Sequence, residues 1–363
     1  MHFTEKDRLC NPIPFFHCFG MVLGNLGCTT HGSCMVIASP SFDPSLTLQT
    51  VQDEKCTALY GVPTMFIAEL QLPNFSSYDL KSLRTGIMGG TVCPVDTMRQ
   101  VQTKMFMKEI TICYGMTETS PCSTQTVIGT SIEKQVSTVG VPLDHMEIKI
   151  VDPQTGDVVP RGQEGEICSR GFAVMLKYWA APEATNSVID AARWMHTGDL
   201  GTMDEEGYLS CTGRIKDMII RGGENVSPKE VEEFLYTHNS IAEVQVIGVP
   251  DETYGEEVMA WVKLVEGCTA TEEELKHFCK GQITHYTIPK FWKFVTGFPT
   301  TISGKIRKVE MREVAAKELG REHLLKKKEE QTETNAETEG ETSGKRPRRE
   351  EGEEDTSGKK LKR

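Results

Sequence analysis

The sequence predicts an α/β protein in which parallel sheet layers and a small β-rich subdomain are followed by a small α+β domain and a disordered tail. Changes of pattern along the 363 residues support this prediction. Short apolar runs alternate with helical periodicity from residue 12 to about residue 128, which is typical of strand-helix-strand repetition and a parallel sheet. Short alternating strands replace that pattern over about 136–212.

The first region supplies the elements of the predicted parallel sheet. Apolar runs predict strands at 33–38, 56–61 and 83–90, and periodicity predicts helices at 44–54, 62–70 and 94–107. Pro63 and Pro94 fall near the first turn of two of these helices, where a missing N–H costs little. The apolar stretch 15–38 is interrupted by glycines and a histidine, so it predicts buried helix and strand rather than a membrane span.

The later regions predict smaller units. A strand at 146–151 and a turn at 152–157 represent the β-rich part. The following α+β region is expected to contain strands at 218–220, 244–249 and 258–264 and helices at 227–239 and 271–281. Thr271 and Glu274 form a capping-box pattern at the start of the last helix.

These patterns predict three units along the chain. A large domain spans 1–215, with its β-rich part at about 136–212, and a mobile C-terminal domain spans 216–325. Residues 326–363 contain as many basic as acidic side chains and almost no large apolar ones, so we expect disorder there.

The charge balance argues against a nucleic-acid-binding protein. The net charge is −12 and the pI is near 5.4, whereas nucleic-acid binding needs a concentrated basic surface. Twelve cysteines occur without any C-x-x-C pair, which favours reduced thiols over a zinc ribbon. The first eight residues carry charges of both signs and predict neither a signal nor a transit peptide. Specific nucleic-acid binding is therefore not expected.

Four motifs supply groups that suit activation of a carboxylate by ATP, in which two anions must be brought together. They are Tyr114–Glu118 (YGMTE), His196–Asp199 (HTGD), Gly213–Asp217 (GRIKD) and Pro299–Lys305 (PTTISGK). Each motif alone is typical of an ordinary turn or helix cap, and their ordered coexistence is what favours a nucleotide site.

The chemistry of each side chain predicts its role. Glu118 is the expected Mg²⁺ ligand, and the Thr117 hydroxyl is expected to donate to the α-phosphate. Tyr114 offers a flat face for adenine, and Asp199 with Arg214 suits the ribose hydroxyls. Lys305 is the expected electrophilic catalyst, because a compact ammonium suits charge that develops at the phosphate.

These segments resemble the adenylate-forming superfamily, which includes acyl-CoA synthetases, luciferases and peptide-synthetase adenylation domains. The likeness extends from about Arg8 to Leu319 and is most specific at Gly213–Glu232 and Ser303–Lys308. It implies ligation of a medium-chain fatty acid to coenzyme A through an acyl-adenylate, with ATP and Mg²⁺. The AMP-binding residues implied by the resemblance are Gly89, Gly90, Tyr114, Gly115, Thr117, Asp199, Arg214 and Lys305.

The resemblance also implies a second catalytic state. Lys216 would be the hinge about which the C-terminal domain rotates. The coenzyme A channel would contain His17 together with Gly222, Gly223, Glu224 and Asn225. The segment 91–94 departs from the superfamily's usual pattern beside the adenine site, which affects the expected pocket shape.

Several alternatives stay open. The superfamily's Ser/Thr/Gly-rich phosphate loop is not found in this sequence, so we expect an impaired activity for the chain as written. One alternative is a noncatalytic AMP- or CoA-binding protein, and another transfers the acyl group to a different acceptor. The resemblance implies a mitochondrial location, as for the family member that the sequence resembles most, whereas the chain as written predicts a cytosolic location. The basic runs 345–349 and 359–363 also allow the hypothesis of nuclear import. Acyl chain length and oligomeric state are not predicted.

Overall fold

The structure is a computed structural model that describes residues 1–90, 93, 95–301 and 305–325. The predicted disordered tail, the turn at 302–304 and most of the segment 91–94 lie outside the described residues. Within them, the predicted fold class is confirmed, since a large domain built on a parallel sheet is joined to smaller β-rich and α+β parts.

The first sheet has seven strands in the order β2-β1-β3-β4-β5-β6-β7. These strands are β1 (Arg8–Cys10), β2 (Cys34–Val36), β3 (Ala58–Gly61), β4 (Thr85–Gly89), β5 (Glu109–Tyr114), β6 (Thr124–Gln125) and β7 (Val141–Pro142). The first five are parallel and the last two are antiparallel. All residues of β3 and β4 are buried, as expected for parallel strands that are covered on both faces.

Helices connect these strands. They are α1 (Gly27–His31), α2 (Pro44–Asp53), α3 (Pro63–Leu70), α4 (Val95–Lys104) and α5 (Ile132–Ser137). The predicted helices α2, α3 and α4 are confirmed. Asp43 caps α2 by accepting a hydrogen bond from the Leu46 N–H, and Pro44 occupies the first turn. Phe66 of α3 is fully buried in the core between the sheet and α2 to α4.

The stretch 15–38 folds in a way that the sequence pattern only partly predicts. A π-helical segment, Phe19–Leu26, leads directly into α1, and β2 follows. Buried helix and strand were expected, yet Met21 and Leu26 are exposed. Among the described residues, no helix combines the length and apolarity that a membrane span requires.

The second sheet is antiparallel, with the strand order β11-β10-β9-β8. Its strands are β8 (Met146–Val151), β9 (Gly165–Gly171), β10 (Met195–Met203) and β11 (Leu209–Arg214), and α6 (Pro182–Val188) lies between β9 and β10. The pairing of β9 with β10 is irregular, because His196 pairs with Cys168 whereas Leu200 pairs with Glu166. Residues 197–199 therefore bulge from the ladder, which allows the Asp199 side chain to reach Tyr114 of the first sheet.

The third sheet forms the C-terminal part. Its strands are β12 (Ile219–Arg221), β13 (Glu224–Val226), β14 (Ile241–Asp251), β15 (Gly255–Leu264) and β16 (Phe291–Phe294), packed with α7 (Pro228–Leu235), α8 (Glu272–Cys279) and α9 (Lys308–Glu318). The β14–β15 hairpin is longer than predicted, since backbone pairing continues through polar residues at its tip. The capping box of α8 is confirmed by reciprocal hydrogen bonds between Thr271 and Glu274.

Candidate active site

A cavity of about 650 Å³ lies where the three sheets meet. Val62, Gly90 and Gly115 line it directly after β3, β4 and β5, so it sits at the carboxyl ends of the parallel strands. This edge is the usual ligand site of parallel sheets. The remaining lining residues are Ile13, His17, Cys18, Phe19, Thr64, Met116, Thr117, Glu118, Pro121, Tyr178, Thr197, Gly198, Asp199, Arg214, Ile215, Lys216 and Lys305.

Most of the predicted site residues meet in this cavity. His17, Gly90, Gly115, Thr117, Glu118, Asp199, Arg214, Lys216 and Lys305 all line it. Gly89 and Tyr114 each precede a lining residue by one position and do not line the cavity themselves. The structure thus gathers side chains that are separated by up to almost three hundred positions in the sequence.

Asp199 is the most buried of the charged groups at the cavity, with 4% of its surface exposed. It faces Arg214 directly in the β10–β11 ladder, and its Oδ1 accepts from the Arg214 Nε at 2.8 Å. Its Oδ2 accepts from the Tyr114 hydroxyl at 2.8 Å. Burial, followed by the nearby charge of Asp199, raises the pKa of Tyr114, so this hydroxyl keeps its proton and remains a donor.

Glu166 holds the bulge that carries Asp199, a feature that our sequence reasoning missed. Its Oε1 accepts from the Gly198 N–H at 3.0 Å, and its Oε2 lies 2.7 Å from the His196 Nδ1. The Thr197 hydroxyl donates to the Ile167 carbonyl and accepts from the Asp199 N–H. The signal available in the sequence was an acidic residue next to the apolar pair Ile167 and Cys168.

Thr117 and Glu118 lie on a 3₁₀ turn, Thr117–Thr119, that follows β5. The Tyr178 hydroxyl donates to the Glu118 Oε1 at 2.8 Å. Burial, with the Glu118 contact, raises the pKa of Tyr178 to about 12. Within the part of the chain that the structure describes, no donor reaches the Glu118 Oε2, so this oxygen is available to a cation. Tyr178 was not predicted, because only tertiary packing brings it to Glu118.

Three cationic side chains line the same cavity as these carboxylates. Lys305 approaches from the C-terminal part and shares the cavity with Arg214 and Lys216. Burial is the main cause of a lowered pKa of Lys305. The positive charge of Arg214 lowers this pKa further, and the negative charge of Asp199 raises it. A bound anion would relieve this repulsion, so the arrangement suits a phosphate or carboxylate ligand.

His17 also lines the cavity. Its Nδ1 accepts from the Phe19 N–H at 3.1 Å, which assigns the ring proton of the neutral form to Nε2. Burial and then the charge of Lys305 lower the pKa of His17, so the neutral imidazole is favoured. The neighbouring Cys18 thiol lies 3.7 Å from the Thr117 hydroxyl.

The predicted channel segment 222–225 is not part of this cavity. Gly222 and Gly223 form a two-residue turn between β12 and β13, with φ values of 60° and 91°. Positive φ at both positions is typical of a type I′ hairpin and explains the pair of glycines. The structure therefore shows the turn but does not test a channel role for Gly222, Gly223, Glu224 or Asn225.

Comparison with known families places this geometry in context. A sequence model described as AMP-binding enzyme matches residues 1–179, and one described as AMP-binding enzyme C-terminal domain matches residues 230–305. Together the two matches cover more than half of the chain. The chain belongs to the AMP-binding enzyme family, which confirms the resemblance found in the sequence.

Two curated relatives show how much of a family member is present. The chain is 52% identical over 313 residues to "Putative acyl-CoA synthetase YngI" of Bacillus subtilis, covering 86% of this chain and 57% of that protein. It is 45% identical over 319 residues to medium-chain acyl-CoA ligase ACSF2, mitochondrial, of Danio rerio, covering 88% and 53%. The chain thus spans about half the length of the curated relatives it matches.

A solved structure has the same architecture. ATP-bound MatB from Rhodopseudomonas palustris superposes with a TM-score of 0.79 at 33% identity, covering 86% of this chain and 61% of that one.

The compartment in the name of the Danio rerio relative is mitochondrial. These comparisons support neither the predicted cytosolic location nor the hypothesis of nuclear import.

Proposed function

We propose that this chain carries the catalytic core of an enzyme that uses ATP to ligate a medium-chain fatty acid to coenzyme A through an acyl-adenylate. One observation carries the proposal: Lys305 enters the same cavity as the Thr117–Glu118 pair and the Asp199–Arg214 pair. The family assignment supports the reaction class, and the names of the curated relatives support the acid and the thiol.

The nucleotide would be held mainly by Asp199 and Arg214. Each oxygen of the Asp199 carboxylate already has one donor, and each keeps a lone pair that can accept a ribose hydroxyl. The Arg214 guanidinium uses Nε for Asp199, which leaves its terminal N–H groups to face the cavity ligand. We assign Gly90 and Gly115, which follow β4 and β5, to the wall around the base, with Gly89 and Tyr114 directly behind them at the strand ends.

Adenylation needs positive charge and oriented donors around the α-phosphate. Lys305, Arg214 and Lys216 supply the charge, and the Thr117 hydroxyl supplies a donor. The fatty-acid carboxylate would attack the α-phosphorus and form an acyl–phosphate bond, while the bond to pyrophosphate breaks. We propose that the Lys305 ammonium contacts the fatty-acid carboxylate and the oxygen between the α- and β-phosphates, where negative charge accumulates.

Mg²⁺ fits the acidic side of the cavity. Glu118 offers the Oε2 atom, and Mg²⁺ commonly takes only one or two protein carboxylates together with phosphate oxygens. The ion would supply further neutralisation of phosphate charge. Tyr178 would orient the Glu118 carboxylate toward it through the hydrogen bond to Oε1.

Thioester formation would require a second arrangement of the C-terminal part. Lys216 lies on the 3₁₀ turn Ile215–Asp217 between the second and third sheets, the position expected of a hinge. Rotation there would withdraw Lys305 and bring the turn at 222–225 toward the cavity, where the glycines permit close approach of the pantetheine arm. His17, held neutral, would gate the entry of the thiol.

The acid specificity rests on the apolar part of the lining. Ile13, Phe19 and Val62 lie together on the first-sheet side and form the surface that an alkyl chain would contact. One methylene is worth only about 1–3 kcal/mol in such a pocket, so several chain lengths should react with graded efficiency. The medium-chain assignment follows the named relative.

A product assay tests the proposal. Purified chain would be incubated with ATP, Mg²⁺, coenzyme A and octanoate or decanoate, and acyl-CoA and acyl-AMP would be quantified by mass spectrometry. Lys305→Ala should lower acyl-AMP formation by about 10²–10³-fold, the usual effect of losing one transition-state donor. Lys280→Ala, an exposed lysine of the same domain, is the matched control.

Other outcomes would support the alternatives. AMP binding without any acyl-AMP would favour a noncatalytic nucleotide-binding protein. Acyl-AMP that reacts with an amine or a carrier thiol in preference to coenzyme A would favour a different acceptor. Equal acyl-AMP formation by the wild type and Lys305→Ala would contradict the assigned role of Lys305.

A further inference from the structure

Three metal-ligating side chains share one face of the second sheet, outside the candidate active-site cavity. Glu166 and Cys168 lie two positions apart on β9, so strand periodicity places both on the same face. His196 on β10 is the direct cross-strand partner of Cys168. One ligand atom from each residue lies within 4.8 Å of the other two.

One ring nitrogen of His196 faces two possible hydrogen-bond partners in this cluster. The His196 Nδ1 lies 2.7 Å from the Glu166 Oε2 and 3.5 Å from the Cys168 Sγ. A ring nitrogen has a single in-plane position for a hydrogen bond. If it bears a proton it donates to the carboxylate and cannot accept from the thiol. If Nδ1 bears no proton, it accepts from the Cys168 thiol and makes no hydrogen bond with the Glu166 carboxylate.

The surroundings are suited to a cation that satisfies all three groups. Cys168 is fully buried and Glu166 is 8% exposed, while the side chain of His196 is one-third exposed and provides access. A thiolate, a carboxylate and a neutral imidazole carry two negative charges, which a divalent ion would neutralise. Two other charged groups act electrostatically on the Cys168 thiol: Lys149 of β8, which is a cross-strand partner of Cys168, and Asp190.

We propose that Glu166, Cys168 and His196 form a binding site for a zinc-class divalent cation. The mixed sulfur, nitrogen and oxygen donors favour Zn²⁺ over Mg²⁺ or Ca²⁺, which take oxygen ligands. Zinc bonds of about 2.0–2.3 Å in a tetrahedron place ligand atoms about 3.3–3.7 Å apart. The separation of Sγ from Nδ1 already falls in this range, and Oε2 must move away from Nδ1 by about 0.6 Å. Water would occupy the fourth position on the exposed side of His196.

The site would strengthen the joint between β9 and β10. Glu166 binds Gly198 through Oε1, so the ion can use Oε2 while the bulge that carries Asp199 keeps its hydrogen bond. The ion would therefore cross-link the two strands directly beneath that bulge. Because the site uses none of the residues assigned to the nucleotide, it is independent of the proposed function.

Cobalt is the probe for the test, because a thiolate ligand gives Co²⁺ an intense charge-transfer band. Metal-free whole chain would be titrated with Co²⁺ and then with Zn²⁺. We expect a charge-transfer band that saturates at one equivalent, is displaced by Zn²⁺, and is accompanied by a rise in Tm of several degrees. Cys168→Ser should abolish the band, and Glu166→Gln should weaken Co²⁺ binding at least tenfold.

Two further variants keep the result interpretable. Cys168→Ala retains a small apolar side chain in the buried position and replaces Cys168→Ser if that variant misfolds, as judged by circular dichroism. Cys34→Ser removes an exposed thiol on β2 and should leave the band unchanged. The proposal is overturned if the wild type shows no band at one equivalent, or if either Cys168 variant titrates as the wild type does.

Discussion

Replacing Asp199 by asparagine removes one negative charge from the cavity while nearly preserving the shape of the side chain. The amide oxygen can still accept from the Arg214 Nε, and the amide nitrogen can donate to the Tyr114 oxygen. The ribose hydroxyls, however, lose an anionic acceptor. This substitution therefore separates nucleotide binding from folding better than truncation to alanine would.

The magnitude follows from the contacts. A hydrogen bond to a charged group is worth about 1.5–3 kcal/mol, against about 1 kcal/mol between neutral groups. Two ribose hydroxyls facing one carboxylate would thus lose about 1–4 kcal/mol in total. Because 1.4 kcal/mol is about tenfold in affinity, the Kd for AMP should rise about 5- to 700-fold. The free energy of unfolding should fall by about 1–2 kcal/mol, because the charge-assisted contact of the partly exposed Arg214 weakens without being lost.

Calorimetric titration with AMP measures the first quantity and urea unfolding measures the second. Asp157→Asn is the matched control, since it removes the same charge from an exposed position in the β-rich part. A Kd for Asp199→Asn within twofold of the wild-type value, in a protein of normal stability, would refute the assignment of Asp199 to the ribose.

Three further predictions concern pH dependence and packing. Because the pKa of Lys305 is lowered, this side chain should lose its charge, and the affinity for AMP should fall, at a pH below the pKa of a free lysine. Calorimetric titrations of Lys305→Met should lack this fall in affinity. An identical pH profile in the variant would contradict the prediction. Burial raises the pKa of Asp7, but hydrogen bonds from Arg84 and a threonine outweigh it, so the net pKa is lowered. The stability that Asp7 contributes is fully present above about pH 4 and is lost as pH falls through its lowered pKa. The free energy of unfolding in urea should therefore decrease less steeply toward low pH for Asp7→Asn than for the wild type. Equal slopes would argue against the Asp7–Arg84 pair. Phe66→Ala should cost about 3–5 kcal/mol in urea unfolding, since its ring is fully buried, and a loss below about 1 kcal/mol would show that the cavity collapses.

The fold class was predictable because its signals are local. Proline at the start of α2 and α3, the capping box of α8 and the buried run of β3 each depend on residues within one turn or strand. Backbone geometry and burial determine these features, and both leave a pattern in a short stretch of sequence. The extended β14–β15 hairpin escaped prediction, because pairing between backbones continues where the side chains carry no apolar pattern.

The residues of the candidate site were predictable from motif chemistry, and their assignment to roles stays a prediction. Sequence alone proposed Thr117, Glu118, Asp199, Arg214 and Lys305 as one set, and the structure brings them to one cavity. It could not show that Tyr178 orients Glu118, that Glu166 supports the bulge before Asp199, or that Tyr114 donates to Asp199. Each of these contacts joins residues at least thirty positions apart.

By itself, the sequence determined the α/β class, the chemical groups available for handling a nucleotide, and the family to which the chain belongs. Only the tertiary structure decided which of those groups share a cavity, which oxygens already have donors, and which cationic side chains lie beside one another. The physical reason is that a motif specifies side chains and local backbone, whereas a pKa, a hydrogen bond or a metal site depends on distances between strands that the motif does not contain.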